Sequence, residues 1–380
     1  MKFFGLLRAN LFRKKIRFIL TIGSFAVALF LFGVLAVIRG AFAGGVEIAG
    51  ADRLVVINRT SIIQPLPLAY ADKIRRIPGV KEITHDNWFG GVYQDERNFF
   101  PQFAIDPENQ RRVFPEFDIP EDQWQAFLKD QQAAIAGAAT AKRFGWKVGD
   151  RIPIKGTFLG GTWEFNLAGI YHGTRQADDE TQFWFHWKRF DEQVPASFKG
   201  NVGWYTVKLD KADDALRISK AIDADFANSP YETHTDTEKA FAAGWVKQFG
   251  NIQFLIMAIG SVVFFTLLLV TGNTMAIAVR ERVGELAVLK AIGYSDRFVL
   301  LFVLFESLII SLIGGVLGLG LAKLFTLRGD PTHGLLYAFY LPGSAILAGL
   351  ATALAVGVAS GILPAISAMR LRVVDALRRV

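Results

Sequence analysis

The chain has 380 residues, of which 52% are hydrophobic, and its mean hydropathy is +0.30. It carries 42 lysine and arginine residues against 35 aspartate and glutamate residues, a formal charge of +7, and it has no cysteine. The absence of cysteine excludes disulfides, thiolate nucleophiles and cysteine-bound metals. The apolar residues concentrate in four long runs with few charges, which argues against a soluble protein and predicts a membrane protein.

The N-terminal part combines a basic segment with the first apolar run. Residues 1–17 indicate a cytoplasmic amphipathic segment on the inner membrane surface, and residues 18–38 a transmembrane helix without a charge. A cleaved signal peptide is the alternative, because residues 41–43 resemble a cleavage site. We favour a retained helix because the apolar core is longer than a signal peptide requires and Arg39 follows it.

Residues 39–247 predict an α+β domain outside the membrane. The segments "DRLVVINR" (52–59) and "WYTVKLD" (204–210) indicate strands, and a helix pattern follows each of them. Two such units, separated along the chain, favour a split βαβ, porter-like subdomain with an inserted subdomain. The insertion contains "ATAKRFGWKVGDRIPI", which indicates a helix, a tight Val-Gly-Asp turn and a strand.

Three more apolar runs follow the exterior domain. Residues 248–279 are uncharged, and as one helix they would be about 48 Å long against a hydrocarbon core of about 30 Å. This second span must therefore tilt, break or extend beyond the bilayer as a stalk. The remaining segments are a cytoplasmic coupling segment at 280–297, a third span at 298–323, a short periplasmic loop at 324–341, a fourth span at 342–366 and a cytoplasmic tail at 367–380. The distribution of basic residues places both termini and the 280–297 segment in the cytoplasm.

No catalytic or metal-binding motif is present in the sequence. It has no Walker A loop, no H-E-x-x-H and no G-x-S-x-G. The five histidines lack metal-ligand spacing, and His172 and His186 are predicted to be independent surface or core residues. The acidic run at 178–180 is predicted to be a solvated loop. We therefore expect a non-catalytic chain without a cofactor or metal of its own.

The stretch "RERVGELAVLKAIGYS" (280–295) lies between the second and third spans. On a helix, Val283, Leu286 and Lys290 share one side, and the two glutamates share another. Such a helix either rests on the lipid surface or fits a groove of a cytosolic partner. The residues alone leave both uses open.

This stretch resembles the cytoplasmic signature of the FtsX-like, MacB-type ABC transporter permease family. In that signature, arginine–glutamate pairs precede an apolar turn, a basic residue, a glycine and a small polar residue. The segment "FESLIISLIGGVLGLGLA" (305–322) is similar to the span that follows it, and "IRRIPGVKEIT" resembles the periplasmic core of that family. The order of one span, an exterior domain and three spans also matches.

The resemblance implies a dimeric permease of the bacterial inner membrane. Each copy would bind a cytoplasmic ABC ATPase, a separate chain that holds ATP and Mg²⁺. The segment between spans 2 and 3 would be the coupling helix, and motion would pass along the stalk to the exterior domain, which is called mechanotransmission. The expected coupling residues are Arg280, Glu281, Arg282, Glu285, Leu286, Leu289, Lys290 and Gly293.

The resemblance favours export or efflux, with a periplasmic adaptor and an outer-membrane channel as further partners. Membrane lipid is an expected partner, and nucleic acid is not. Lipoprotein release and control of a cell-wall hydrolase are alternatives within the family. A membrane-anchored sensor without an ATPase is the alternative from another class.

Two features inside the spans predict internal contacts. Glu306 is an intramembrane charge, and we expect it to pair with Arg297 or the coupling helix, or to extend to the interface. Two G-x-x-x-G pairs permit close helix packing, which we interpret as general packing ahead of a dimer interface. The glycines are Gly314, Gly318, Gly357 and Gly361.

Overall fold

The computed structural model describes residues 14–48, 50–175, 178–248, 252–329, 331 and 339–371. Most of the predicted N-terminal segment and C-terminal tail lies outside these ranges, as do residues 330 and 332–338 of the predicted periplasmic loop, which include His333. The chain divides into a helical unit, formed by the parts up to Gly40, over Asn251–Gly329 and from Phe339, and an α+β unit over Ala41–Gly250.

The described elements follow one another in a simple order. The helices are α1 (Lys15–Ile48), α2 (Tyr70–Arg75), α3 (Gln110–Val113), α4 (Glu121–Lys129), α5 (Ala138–Phe144), α6 (Trp187–Gln193), α7 (Ala215–Asp225), α8 (Glu238–Gln248), α9 (Ile252–Glu281), α10 (Val283–Ala291), α11 (Asp296–Leu327) and α12 (Gly343–Met369). The strands are β1 (Arg53–Asn58), β2 (Leu66–Pro67), β3 (Val80–Trp88), β4 (Gly91–Val92), β5 (Gln102–Ile105), β6 (Phe117–Asp118), β7 (Ala133–Gly137), β8 (Arg151–Gly156), β9 (Thr162–Gly173), β10 (Phe183–His186), β11 (Asn201–Val202), β12 (Trp204–Leu209) and β13 (Thr233–Thr237).

Four helices of the described chain are long and apolar enough to cross a membrane, namely α1, α9, α11 and α12. At 1.5 Å per residue, the 34 residues of α1 and the 30 residues of α9 make helices of about 51 and 45 Å, longer than a hydrocarbon core of about 30 Å. The predicted second span, residues 248–279, corresponds to α9, which is described from Ile252 onward.

Small residues hold the helical unit together. Ser307 on α11 is fully buried, and its hydroxyl donates a 2.7 Å hydrogen bond to the carbonyl of Gly357 on α12. This bond satisfies a polar group that the membrane interior would otherwise leave without a partner. Around it lies one apolar cluster drawn from all four spans, which includes Phe25, Leu29, Leu267, Met275, Val299, Phe302, Ala353 and Val356.

Four strands of the 11-stranded exterior sheet form the predicted split βαβ arrangement. Strands β13, β1, β12 and β3 lie side by side in that order, and every neighbouring pair is antiparallel. Strands β1 and β3 therefore run parallel, with α2 as their crossover, and β12 and β13 run parallel with α7 as theirs. The two units come from opposite ends of the domain sequence, so the fold closes only when both are present.

The insertion between β3 and β12 continues the same sheet. Strand β3 pairs with β5 at its far end, from Asp86 opposite Ile105 to Trp88 opposite Phe103. Beyond β5 follow β10, β7, β9, β8 and β4. The two predicted subdomains thus share one sheet, because β3 is long enough to pair with β12 along most of its length and with β5 at its end.

Candidate coupling site

The turn between spans 2 and 3 contains a nine-residue helix, α10, which is shorter than the predicted segment. Arg280 and Glu281 belong to α9, and the helical path is interrupted at Arg282, where φ is −109° and ψ is 16°. Gly293 has a φ of +102°, which favours glycine, and this residue ends the turn after α10. Ser295 then caps α11 by accepting a 3.3 Å hydrogen bond from the Phe298 amide.

Arg282 connects the start of α10 to Glu306, the eleventh of the 32 residues of α11. Its Nη1 lies 2.8 Å from Oε2 of Glu306, and the two side chains are only 18% and 6% exposed. The charge of Glu306 is therefore balanced inside the unit. Of the predicted partners, the one found is Arg282 of the coupling segment and not Arg297. Breaking such a buried pair by removing one member leaves an uncompensated charge.

Lys290 connects the end of α10 to the end of span 4. Its ammonium donates to the carbonyls of Met369 at 2.6 Å and Leu371 at 2.9 Å, and it lies 2.7 Å from Asp296. The carbonyls at a helix C-terminus have no partner in their own helix and carry partial negative charge, so a lysine there stabilises α12. The side chain is 8% exposed, so Lys290 is an internal anchor and not a free surface residue.

Glu281 connects the end of span 2 to the start of span 1. Its carboxylate lies 2.8 Å from the Lys14 ammonium and also pairs with the Arg17 guanidinium. The turn around α10 is consequently tied to α1, α11 and α12 by three charged contacts. A displacement of α10 is therefore resisted by the other three spans.

The face of α10 that points away from the spans carries acidic and apolar groups. Leu286 and Ala287 are buried, whereas Glu285 is exposed and Val288 and Ile292 are 48% and 70% exposed. Of the predicted coupling residues, Arg280, Glu281, Glu285 and Gly293 are exposed, Arg282, Leu289 and Lys290 are partly exposed, and Leu286 is buried. Val288 and Ile292 were not predicted as coupling residues. They are four residues apart, on the helix face opposite Leu286 and Ala287, and this spacing could have identified them. The coupling role of the predicted residues stays a prediction.

The four predicted packing glycines all face neighbouring spans of the same chain. A methyl group at Gly314 or Gly318 would collide with α1, at Phe25 and at the Ala26 carbonyl respectively. A methyl group at Gly357 or Gly361 would collide with Ser311 or Ser307 of α11. These contacts favour the interpretation as packing within one chain over a dimer interface.

Arg53 forms ion pairs in the part of the exterior unit that lies next to the end of α1 and the start of α8. Its Nε lies 2.5 Å from Glu238, the first residue of α8, and its Nη2 lies 2.7 Å from Glu116. Glu238 also accepts a 2.7 Å hydrogen bond from the amide of Gly50, two residues beyond α1. Burial lowers the pKa of Arg53, but the hydrogen bonds and charges of Glu116 and Glu238 outweigh that effect and raise the pKa overall. This network, the Arg53 cluster, joins the chain after α1 to the beginning of α8.

The remaining candidate ligand groups of the exterior unit serve the fold. Among the described residues, no group of three or more His, Asp or Glu side chains has the arrangement of a metal site. His186 is buried against the Phe127 carbonyl at 2.7 Å, whereas the exposed His172 lies 3.8 Å from Glu180, so the two do not form a pair. The acidic run is not the solvated loop we predicted, because Asp178 is 5% exposed and accepts hydrogen bonds from Arg175.

Four helices able to span a membrane, an α+β unit and an anchored helix between spans 2 and 3 define an integral membrane protein with one large domain between its first two spans. Comparison with known families agrees. The MacB-like periplasmic core domain matches residues 18–225, more than half of the chain, and the FtsX-like permease C-terminal family matches residues 257–373. The chain belongs to the FtsX-like, MacB-type family of ABC transporter permeases.

Individual relatives carry related names. The uncharacterised ABC transporter permease MJ1507 of Methanocaldococcus jannaschii is 25% identical over 80% of this chain and 77% of its own length. The ABC transporter permease YtrF of Bacillus subtilis is 28% identical over 57% of this chain and 53% of its own length. The macrolide export ATP-binding/permease protein MacB of Bordetella avium is 39% identical over 28% of this chain, and the match covers 16% of that protein.

Two solved exterior domains also match. The periplasmic region of MacB from Actinobacillus actinomycetemcomitans covers 52% of this chain and 94% of its own, with a TM-score of 0.37 and 10% identity. The extracellular domain of the ABC-type transporter YknZ from Gram-positive bacteria covers 48% of this chain and 99% of its own, with the same TM-score and identity.

Proposed function

We propose that this permease couples ATP hydrolysis by a partner ABC ATPase to movement of its exterior domain. The observation that carries the proposal is the construction of α10. Arg282, Lys290 and Glu281 fasten the turn to three other spans, while Val288 and Ile292 stay exposed beside Glu285. A helix that is rigidly attached on one side and apolar on the other is suited to fit a partner's groove.

The lipid-surface alternative for α10 fits the exposed face less well. Glu285 lies on the same exposed face as Val288, and a carboxylate is repelled by the negative inner leaflet. Two of the basic residues in this turn are engaged internally: Arg282 pairs with Glu306, and Lys290 binds the end of α12. A partner protein is therefore the better occupant of this face.

We further propose that movement reaches the exterior domain through the Arg53 cluster. Glu238 and Gly50 lie next to the ends of the two helices that flank the domain, and Arg53 begins strand β1. A change in the separation of α1 and α8 would strain the ion pairs and hydrogen bonds of the Arg53 cluster first and the sheet next. Such force transfer without substrate passage through the spans is the mechanotransmission expected from the resemblance.

For the wider assembly, we propose a homodimer in the bacterial inner membrane, with cytoplasmic termini and an exterior domain in the periplasm. ATP and Mg²⁺ would be held by the ATPase and not by this chain. Export is the first candidate task, because several relatives are named macrolide exporters, and a periplasmic adaptor and outer-membrane channel would then complete the assembly.

The test is recovery of the ATPase with the tagged permease from native membranes. The wild-type chain should retain a protein with a Walker motif, and the double variant Val288→Arg with Ile292→Arg should lose it. The control is Ile63→Arg, an apolar residue of the exterior unit that is even more exposed, at 88%, and this variant should retain the ATPase. Recovery of no ATPase with the wild-type chain would favour the sensor alternative and overturn the proposal.

A further inference from the structure

A groove runs between the start of α1 and the facing part of α9. Its volume is about 820 Å³, which is much larger than the space that remains between two closely packed helices. The groove is lined by Lys14, Lys15, Ile16, Arg17, Leu20, Thr21, Ser24, Val270 and Thr274. One end is basic and the rest of the wall is formed by residues of the apolar runs.

The basic end has more positive charge than its surroundings neutralise. Lys14, Lys15 and Arg17 supply three positive charges, and the carboxylate of Glu281 is shared between Lys14 and Arg17. Among the residues that the structure describes, Lys15 has no acidic partner, and its side chain is exposed. The end of the groove is therefore suited to receive one further anionic group.

The deeper wall is apolar despite its three hydroxyl groups. Thr21 donates to the Arg17 carbonyl at 2.8 Å, Ser24 to the Leu20 carbonyl at 2.9 Å, and Thr274 to the Val270 carbonyl at 2.8 Å. These hydroxyls are satisfied by their own helices, so they have little need of a polar ligand. Leu20 and Val270 are 66% and 43% exposed and extend the same wall.

The groove is thus basic at one end and apolar along the rest of its wall, which matches the charged and apolar parts of an amphiphilic molecule. From Arg17 to Ser24 the helix rises by about 10 Å, which places the apolar wall within the acyl region when the basic end lies at the headgroups. We propose that the groove binds an anionic phospholipid, with its phosphate at Lys15 and Arg17 and an acyl chain along Leu20 and Val270. A free anion would leave the apolar wall uncovered, and a zwitterionic lipid would bring its own cation next to Lys15 and Arg17.

The binding test uses the purified full-length chain, with phosphatidylglycerol and phosphatidylcholine of identical acyl chains as probes, measured by native mass spectrometry. Phosphatidylglycerol should bind more tightly, and Lys15→Gln should weaken its binding about fivefold and that of phosphatidylcholine by a smaller factor. Arg297→Gln, another exposed basic residue beside a cytoplasmic helix end, should leave both unchanged. Equal binding of the two lipids, or an equal effect of Arg297→Gln, would overturn the proposal.

Two further variants separate lipid from other occupants. Thr274→Trp adds bulk without charge and should reduce phosphatidylglycerol binding, and retention of full binding would contradict the assigned wall. Because the chain has no cysteine, Thr274→Cys is a single reporter for a second copy in the groove. Little disulfide dimer is expected in oxidised membranes, whereas an efficient dimer would assign the groove to contact between copies.

Discussion

Removal of Glu306 should destabilise the helical unit by depriving the mostly buried Arg282 of the carboxylate that lies 2.8 Å from it. The pair is separated by 2.8 Å, and its side chains are 6% and 18% exposed, so solvent screens it weakly. Loss of one member of such a pair costs about 3–5 kcal/mol, whereas apolar replacement of both is often neutral. We therefore expect Glu306→Ala and Arg282→Met each to lower the free energy of unfolding by about 3 kcal/mol, and R282M/E306M to recover most of it.

The chain supplies separate reporters for its two units. A single cysteine at the fully buried Ala353 would report unfolding of the helical unit during an SDS titration, through reaction with a thiol-reactive dye. All eight tryptophans lie between residues 88 and 245, so their fluorescence reports the exterior unit and should be unchanged in these variants. The reasoning is refuted if the single variants match the wild type, or if the double variant loses as much as both singles combined.

Three more predictions concern single positions. Gly318→Leu should force α1 away from α11 and destabilise the helical unit by about 1–3 kcal/mol, measured by the same titration; unchanged stability would mean that the spans can separate freely. Lys290→Met should increase amide hydrogen exchange near Met369, because the end of α12 loses its cation; unchanged exchange would contradict that role. Burial and the neighbouring Asp106 charge raise the pKa of Asp86 from 3.8 to about 7, so the native state binds a proton that the unfolded state releases. Stability of the exterior unit should therefore fall as pH rises between these values, and Asp86→Asn should flatten this dependence in urea melts followed by tryptophan fluorescence; an equal pH dependence in both proteins would refute it.

The sequence predicted much of the element order, because apolar length and period are local properties. The strand predicted at 52–59 is found as β1, and the helix pattern that follows the strand at 204–210 is found as α7. The predicted Val-Gly-Asp turn is found at Val148–Asp150. Gly149 has a φ of +97° there, a backbone conformation that glycine adopts more readily than other residues.

The tertiary contacts could not be predicted in the same way. Arg297 and the basic residues of the coupling helix were candidate partners for Glu306, and the pairing with Arg282 depends on how α10 packs against α11. The Arg53 cluster combines residues 53, 116 and 238, which no sequence period relates. The outward face of α10 depends on which side the spans cover, so Lys290 was predicted as a partner contact although it binds the end of α12.

The measurement that tests coupling most directly is the distance between two copies of the exterior domain during the ATPase cycle. A spin label on Ile63→Cys, in the otherwise cysteine-free chain, reports this distance in the reconstituted complex with the partner ATPase. We predict a shift in the distance distribution when ATP binds, and no shift in the variant with Val288→Arg and Ile292→Arg. An unchanged distribution in the wild type, or an equal shift in that variant, would contradict coupling through α10.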